Sequence, residues 1–155
     1  METFGTKEHF GILVRPASGQ MRQVEVWAGG KNLTPVDSSS YIPSFSHSLA
    51  KSANHLKNSA DFFAYEPLFS GLAPEAAFAK LSRQEAGTEQ AWSALRFADW
   101  GPTTDDFLCF LLPLNGKLHL AFCEHQSNLF HELLVEPSEI ADILEGALNA
   151  LSHSV

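Results

Sequence analysis

Asn115-Gly116 stands between two apolar runs, residues 107–112 and 117–124, and nothing else in the sequence constrains the fold so tightly. A two-residue type I′ turn needs positive φ at both central positions, which Asn and Gly adopt with little strain. The pair therefore predicts an antiparallel hairpin. Residues 129–135, Leu-Phe-His-Glu-Leu-Leu-Val, supply a third strand beside it. A second hairpin is predicted nearer the start, from residues 8–15 and 21–28, with Pro16-Ala-Ser-Gly19 as the turn. In the latter strand Val24, Val26 and Ala28 share one side of the pleat, and Gln23, Glu25 and Trp27 share the other. A Trp on the polar side implies that this side also meets something.

Helical periodicity appears in blocks between and after these strands. Over residues 41–58, Ile42, Phe45, Leu49, Ala53 and Leu56 recur at spacings of three and four, with Ser40 as the expected N-cap. A short helix is expected from Pro74 through Leu81. A longer one is expected from Glu136 to about Ser152, with Pro137 in its first turn and Ile140, Ile143, Leu144, Ala147, Leu148 and Leu151 as the buried stripe. Residues 61–65 read as a strand or a packed loop, and 91–97 as either strand or helix. Strands in hairpins with helices in blocks define an α+β class: an antiparallel sheet built from hairpins, helices packed on one face, in a single domain over 1–155.

The 155 residues suit one hydrophobic core. The longest apolar run, residues 107–114, has the length of a strand, so no membrane span is expected. The first ten residues carry Glu2, Lys7, Glu8 and His9 and do not resemble an export signal. A cytoplasmic protein follows, in which Cys109 and Cys123 are read as buried neutral thiols. The formal net charge of −8 is unevenly spread. Residues 1–84 hold 8 basic and 7 acidic side chains, whereas residues 85–155 hold 2 basic and 11 acidic ones. That acidity argues against direct nucleic-acid binding and would steer a cationic protein.

Motifs for catalysis are sparse. Ala28-Gly-Gly-Lys31 lacks phosphate-loop spacing, and Gly-x-Ser-x-Gly does not occur. His119, His125 and His131 could hold a metal only if strand registration brought them together. Asp105 and Asp106, beside Asp99, have the residue types for acid–base chemistry but lie in a Gly-Pro-Thr-Thr loop, where such residues usually cap turns. No cofactor, metal or catalytic residue is expected. Trp100, Trp27 and Tyr41 are the candidate contact anchors, since interfaces favour large side chains with few rotamers.

Two stretches carry a resemblance: Val26-Trp27-Ala28-Gly29-Gly30-Lys31-Asn32-Leu33 closing the first hairpin, and Leu95-Arg96-Phe97-Ala98-Asp99-Trp100-Gly101 before the last one. With a helix over a polar loop between them and a terminal helix after them, the layout resembles small bacterial immunity proteins. Those are encoded beside polymorphic toxins or contact-dependent inhibition toxins. The resemblance implies a non-catalytic protein that binds one cognate toxin domain and blocks it. Asp99, Trp100, Asp105, Asp106 and Glu124 would then oppose a basic toxin face. The alternatives are a small metal-dependent or acid–base enzyme using His119, His125 and Asp105/Asp106, and a secretion chaperone or adaptor.

Overall fold

The computed structural model describes residues 1–35, 38–127 and 129–153. In it Asn115 and Gly116 take φ of +53° and +76°, as a type I′ turn requires. The turn joins strands β7 (Phe107–Leu114) and β8 (Lys117–Glu124). On the far side of β8 lies β9 (Phe130–Val135), and on the far side of β7 the two-residue β6 (Arg96–Phe97). These four make one antiparallel sheet in the order β6-β7-β8-β9.

The first hairpin builds another antiparallel sheet. Strands β1 (Glu2–Gly5), β2 (Phe10–Ser18) and β3 (Met21–Ala28) pair in chain order. Strands β4 (Lys31–Asn32) and β5 (Ser39–Tyr41) then both pair with β3. The α+β class and hairpin construction are those expected from the sequence. The strands are shared between two sheets, however, each with its own helices. Helix α5 (Pro137–Ser152) lies on β1 and β2 and packs along α1 (Ile42–Lys57). Helices α3 (Pro74–Ser82) and α4 (Glu89–Leu95) lie on the second sheet. There Phe78 and Trp92 meet Phe110 edge-on, at ring-centre distances of 5.7 and 5.1 Å. One buried cluster runs through both sheets, bridged where Phe10 meets Phe97 at 5.8 Å.

Of the predicted stripes, Phe45, Leu49, Ala53 and Leu56 in α1 and Ile140, Leu144, Ala147 and Leu151 in α5 are buried, whereas Ile42, Ile143 and Leu148 at their margins are only partly buried against the core. The close approach of α5 to β1 depends on small residues. A Cβ on Gly146 would lie 2.6 Å from the Phe4 ring. Arg22 shares the inward side of β3 with Val24 and Val26, and is 9% exposed. Its Nε donates to the Arg15 carbonyl and its Nη1 to the Ala150 carbonyl at 2.8 Å, tying the sheet to the C-terminal turn of α5. A cation bonded to a terminal helical carbonyl satisfies an acceptor that the helix cannot.

Four local expectations are corrected or resolved. The first turn falls later than expected, because Pro16 is absorbed at an irregularity between Val14 and Ala17 and β2 runs on to Ser18. Residues 61–65 lead out of a short helix, α2 (Ala60–Phe63), and residues 91–97 divide into the end of α4 and β6. Ser40 does not cap α1. Paired with Arg22 in β5, it is 4% exposed, and Tyr41 takes the cap position without a side-chain bond. Among the described residues no helix is long and apolar enough to cross a membrane.

Candidate partner-binding site

The loop between β6 and β7 turns sharply on two left-handed residues, Ala98 at φ +57° and Gly101 at φ +105°. For alanine that conformation costs about 1–2 kcal/mol, so it persists only because neighbouring contacts hold it. Those contacts come from the inner side of the loop. Trp100 is 3% exposed, its Nε1 donates to Ser52 Oγ at 2.9 Å, and its ring meets Phe45 and Phe97 edge-on. The Trp100 backbone amide donates to Thr104 Oγ1 at 3.0 Å, and that hydroxyl donates to the Gly101 carbonyl at 3.1 Å. Expected from the sequence as an exposed anchor, Trp100 is therefore core packing. Its indole bridges α1 and the loop and is almost wholly covered.

The acids lie on the outer side. Asp105, Asp106 and Glu124 line one cleft of about 420 Å³ together with His125, Gln126 and Pro35. Main chain ties two of these residues together: the His125 amide donates to the Asp106 carbonyl at 2.9 Å. Asp99 stands apart from that lining. Its carboxylate is 60% exposed and lies 3.8 Å from the guanidinium of Arg96, an ion pair worth little at such exposure. The sequence held a signal for this convergence. Counting outward from Asn115-Gly116, as the pairing of Phe107 with Glu124 confirms, sets Asp106 against His125.

The three histidines do not come together. His119 and His131 project from opposite faces of the second sheet. His131 stacks at 5.1 Å on Phe122, its partner across the strands, whereas His119 alternates with it along β8. His119 Nδ1 lies 2.9 Å from Glu132 Oε2, a neighbour on its own face. His125 does reach the cleft of Asp105 and Asp106, but among the described residues no side-chain hydrogen bond joins it to either. No group of three or more His, Cys, Asp or Glu among the described residues is placed to hold a metal ion.

The register also separates the thiols. Cys109 pairs across the hairpin with Phe122, and Cys123 with Leu108, so the two sulfurs leave opposite faces and both are free. Burial pushes the Cys109 thiol up to about 12, with Arg96 opposing weakly. Burial first, then the charge of Glu124, raises Cys123 as well.

What Trp27 meets on the polar side of β3 is this chain's own Lys7, whose ammonium sits 4.5 Å from the ring centre. Its Nε1 donates to Glu25 Oε1 at 3.2 Å, and Glu25 Oε2 takes Arg15 Nη2 at 2.7 Å. The Arg15 hydrogen bond holds the Glu25 carboxyl below its ordinary value. Burial opposes that shift, and Trp27, the Arg15 charge and Lys7 reinforce it.

The acidity of residues 85–155 is thus divided. Besides the cleft on β7–β8, Glu136 and Glu139 line a second depression at the start of α5, where acids stabilise the helix end. Glu132 is engaged by His119, and Glu145 is paired with Lys57.

Comparison with known proteins agrees with this architecture. No family model and no curated protein matches the sequence. Among solved structures, CdiI from Burkholderia dolosa has the same fold: TM-score 0.65 over 96% of this chain and 99% of that one, at 13% identity. The α+β layout read from the sequence as that of bacterial immunity proteins is therefore the layout of a solved CdiI.

Proposed function

We propose that this chain is a non-catalytic, cytoplasmic immunity protein that binds a cognate toxin domain and blocks it. The observation that carries the proposal is the cleft of Asp105, Asp106 and Glu124, built at the end of a rigid hairpin on a fold shared with CdiI. Three carboxylates on backbone fixed by a two-stranded ladder and a pinned loop give a preorganised negative surface. Such a surface accelerates encounter with a basic protein and fixes its orientation. The toxin face is basic in this reading, as the active clefts of enzymes acting on nucleic acids are. Asp99 extends the same field from the other end of the loop.

The test is co-expression with the product of the gene immediately upstream, which this reading expects to be a toxin domain. The wild-type chain is expected to rescue growth and to co-elute with the domain. The combined Asp105→Asn, Asp106→Asn and Glu124→Gln variant is expected to associate more slowly, with a weaker dependence of the rate on salt. Absence of any complex with the wild-type chain overturns the proposal. A complex without rescue points to a chaperone or adaptor instead.

A further inference from the structure

Strand β9 ends the second sheet, and among the described residues no strand pairs with its outer side. The Asn115-Gly116 turn fixes which of its main-chain groups face outward. A two-residue turn leaves Leu114 and Lys117 as a hydrogen-bonded pair, so alternate residues of β8 from Lys117 onward direct their amides and carbonyls at β7. Leu118, Leu120 and Phe122 direct theirs at β9, against Val135, Leu133 and His131. Phe130, Glu132 and Leu134 are left with theirs pointing away from the sheet. An independent contact agrees with that phase: the Leu134 carbonyl lies 2.8 Å from His9 Nε2. Among the described residues the outward groups of Phe130 and Glu132 meet no hydrogen-bond partner. Protein edges are commonly blunted by shortness, Pro, Lys or a bulge. The end strands β4 and β6 have two residues each, but β9 has six, with no Pro, no Lys and an unbroken register. Leu129 and Leu134, 66% and 50% exposed, are after Met1 the most exposed large apolar side chains among the described residues, and both lie along this edge.

We propose that the outer edge of β9 takes an antiparallel strand of the toxin domain, with a Lys or Arg opposite Glu132 and apolar residues two positions to either side, opposite Phe130 and Leu134. The inference rests on the immunity reading for the identity of the partner. The pattern of the incoming strand follows from the edge itself. Phe130, Glu132 and Leu134 share one face, because successive side chains alternate. Glu132 gives Oε2 to His119 at 2.9 Å, and its side chain keeps 35% exposure. Charge selects a foreign strand over a second copy. The two-fold pairing that sets Phe130 against Leu134 of another copy also sets Glu132 against Glu132, and like charges directly opposite destabilise. Sliding the copies by two residues sets Glu132 against Phe130 or Leu134 and leaves no apolar pair on that face. The edge also leads to the acidic cleft: Phe130 pairs with Cys123, and the next residue of β8, Glu124, lines it. A basic strand thus meets carboxylates both beside Glu132 and at that end. In such additions main-chain bonds supply affinity and alternate side chains supply specificity.

Residue-resolved amide exchange reads the proposal directly, because only the outward amides should respond. The probes are acetyl-Val-Thr-Lys-Thr-Val-amide and acetyl-Val-Thr-Glu-Thr-Val-amide at millimolar concentration. The Lys peptide is expected to slow exchange at Glu132 and Leu134 saturably, while His131 and Leu133, already bonded to β8, stay as they were. The Glu peptide is expected to leave all four unchanged. With the product of the upstream gene, the same two amides are expected to slow about tenfold or more. Glu132→Pro removes an outward N–H and no bond of the β8 ladder, and Leu134→Lys, at an exposed position, puts a gatekeeping charge on the edge. Each folded variant is expected to lose affinity for that product about tenfold or more. Equal responses to both peptides, or none, overturn the edge, and so does a complex in which Glu132 and Leu134 exchange as in the free chain. Such a complex leaves the immunity reading intact. Selective peptide protection without a complex removes that reading and keeps the edge. Protection of the same amides that grows with the concentration of the chain alone shows a second copy on β9 and overturns the foreign strand.

Discussion

Arg22→Met keeps the length of an apolar stem inside the first sheet and removes the guanidinium. Two carbonyls lose their donor, that of Arg15 on the neighbouring strand and that of Ala150 in the last turn of α5. A hydrogen bond to a charged group contributes about 1.5–3 kcal/mol. Against the loss of two stands the relief of no longer holding a charge away from water, which offsets part of it. The net expectation is a destabilisation of about 2–3 kcal/mol. With a urea dependence of about 2 kcal/mol per molar, the unfolding midpoint falls by about 1–1.5 M without a change in slope. Arg22→Lys keeps the charge but presents a point donor where a fork spans two acceptors, so roughly half the loss is expected. Hydrogen exchange gives the local readout: the final turn of α5 should lose protection first, because its carbonyl is the group released. A midpoint within about 0.3 M of the parent would show that the buried guanidinium is not what joins α5 to the sheet.

Two further predictions rest on titratable groups. In the folded protein Cys123 is the accessible thiol, and Cys109, buried and pushed up to about 12, is almost entirely protonated at mildly alkaline pH. Ellman's reagent should therefore release at most one equivalent before denaturant is added, and Cys123→Ser should abolish that signal. Reaction of Cys109 without unfolding would contradict the packing of β7. The second concerns Glu25, whose folded carboxyl lies below its ordinary value of 4.5. A depressed acid contributes stability above the ordinary value and loses it as pH falls towards the folded one, so the loss begins near 4.5 and continues below it. Urea midpoints measured from neutral pH downward should fall less steeply for Glu25→Gln than for the parent, by a modest margin because Arg15 is partly exposed.

Those parts of the fold that depend on local chemistry were legible in the sequence. Asn115-Gly116 set a turn and, through it, a register reaching as far as Asp106 and His125. The stripes of α1 and α5 followed from spacing alone. What escaped depended on partners far along the chain. Trp100 sits in a polar, acidic stretch and looks exposed there. It is buried because Ser52 and Phe45, on a helix about 50 residues earlier, come to meet it. Ser39 and Ser40 have turn-like composition, yet β3 offers them an open edge. Strand parity placed Arg22 on the inward side of β3, but the helix carbonyl that justifies a buried cation lies 128 residues away. The division into two sheets is likewise non-local, since nothing in either hairpin states which strand the other will lie beside.

Along the loop from Ala98 to Asp106, the side chains that hold its shape and those that face outward are different residues. Trp100 and Thr104 maintain the bend from within, and Asp99 and Asp105 can be exchanged without disturbing them. Exposed residues of this loop can thus vary while the buried ones keep its bend, so the surface chemistry and the shape of the loop are set by separate side chains.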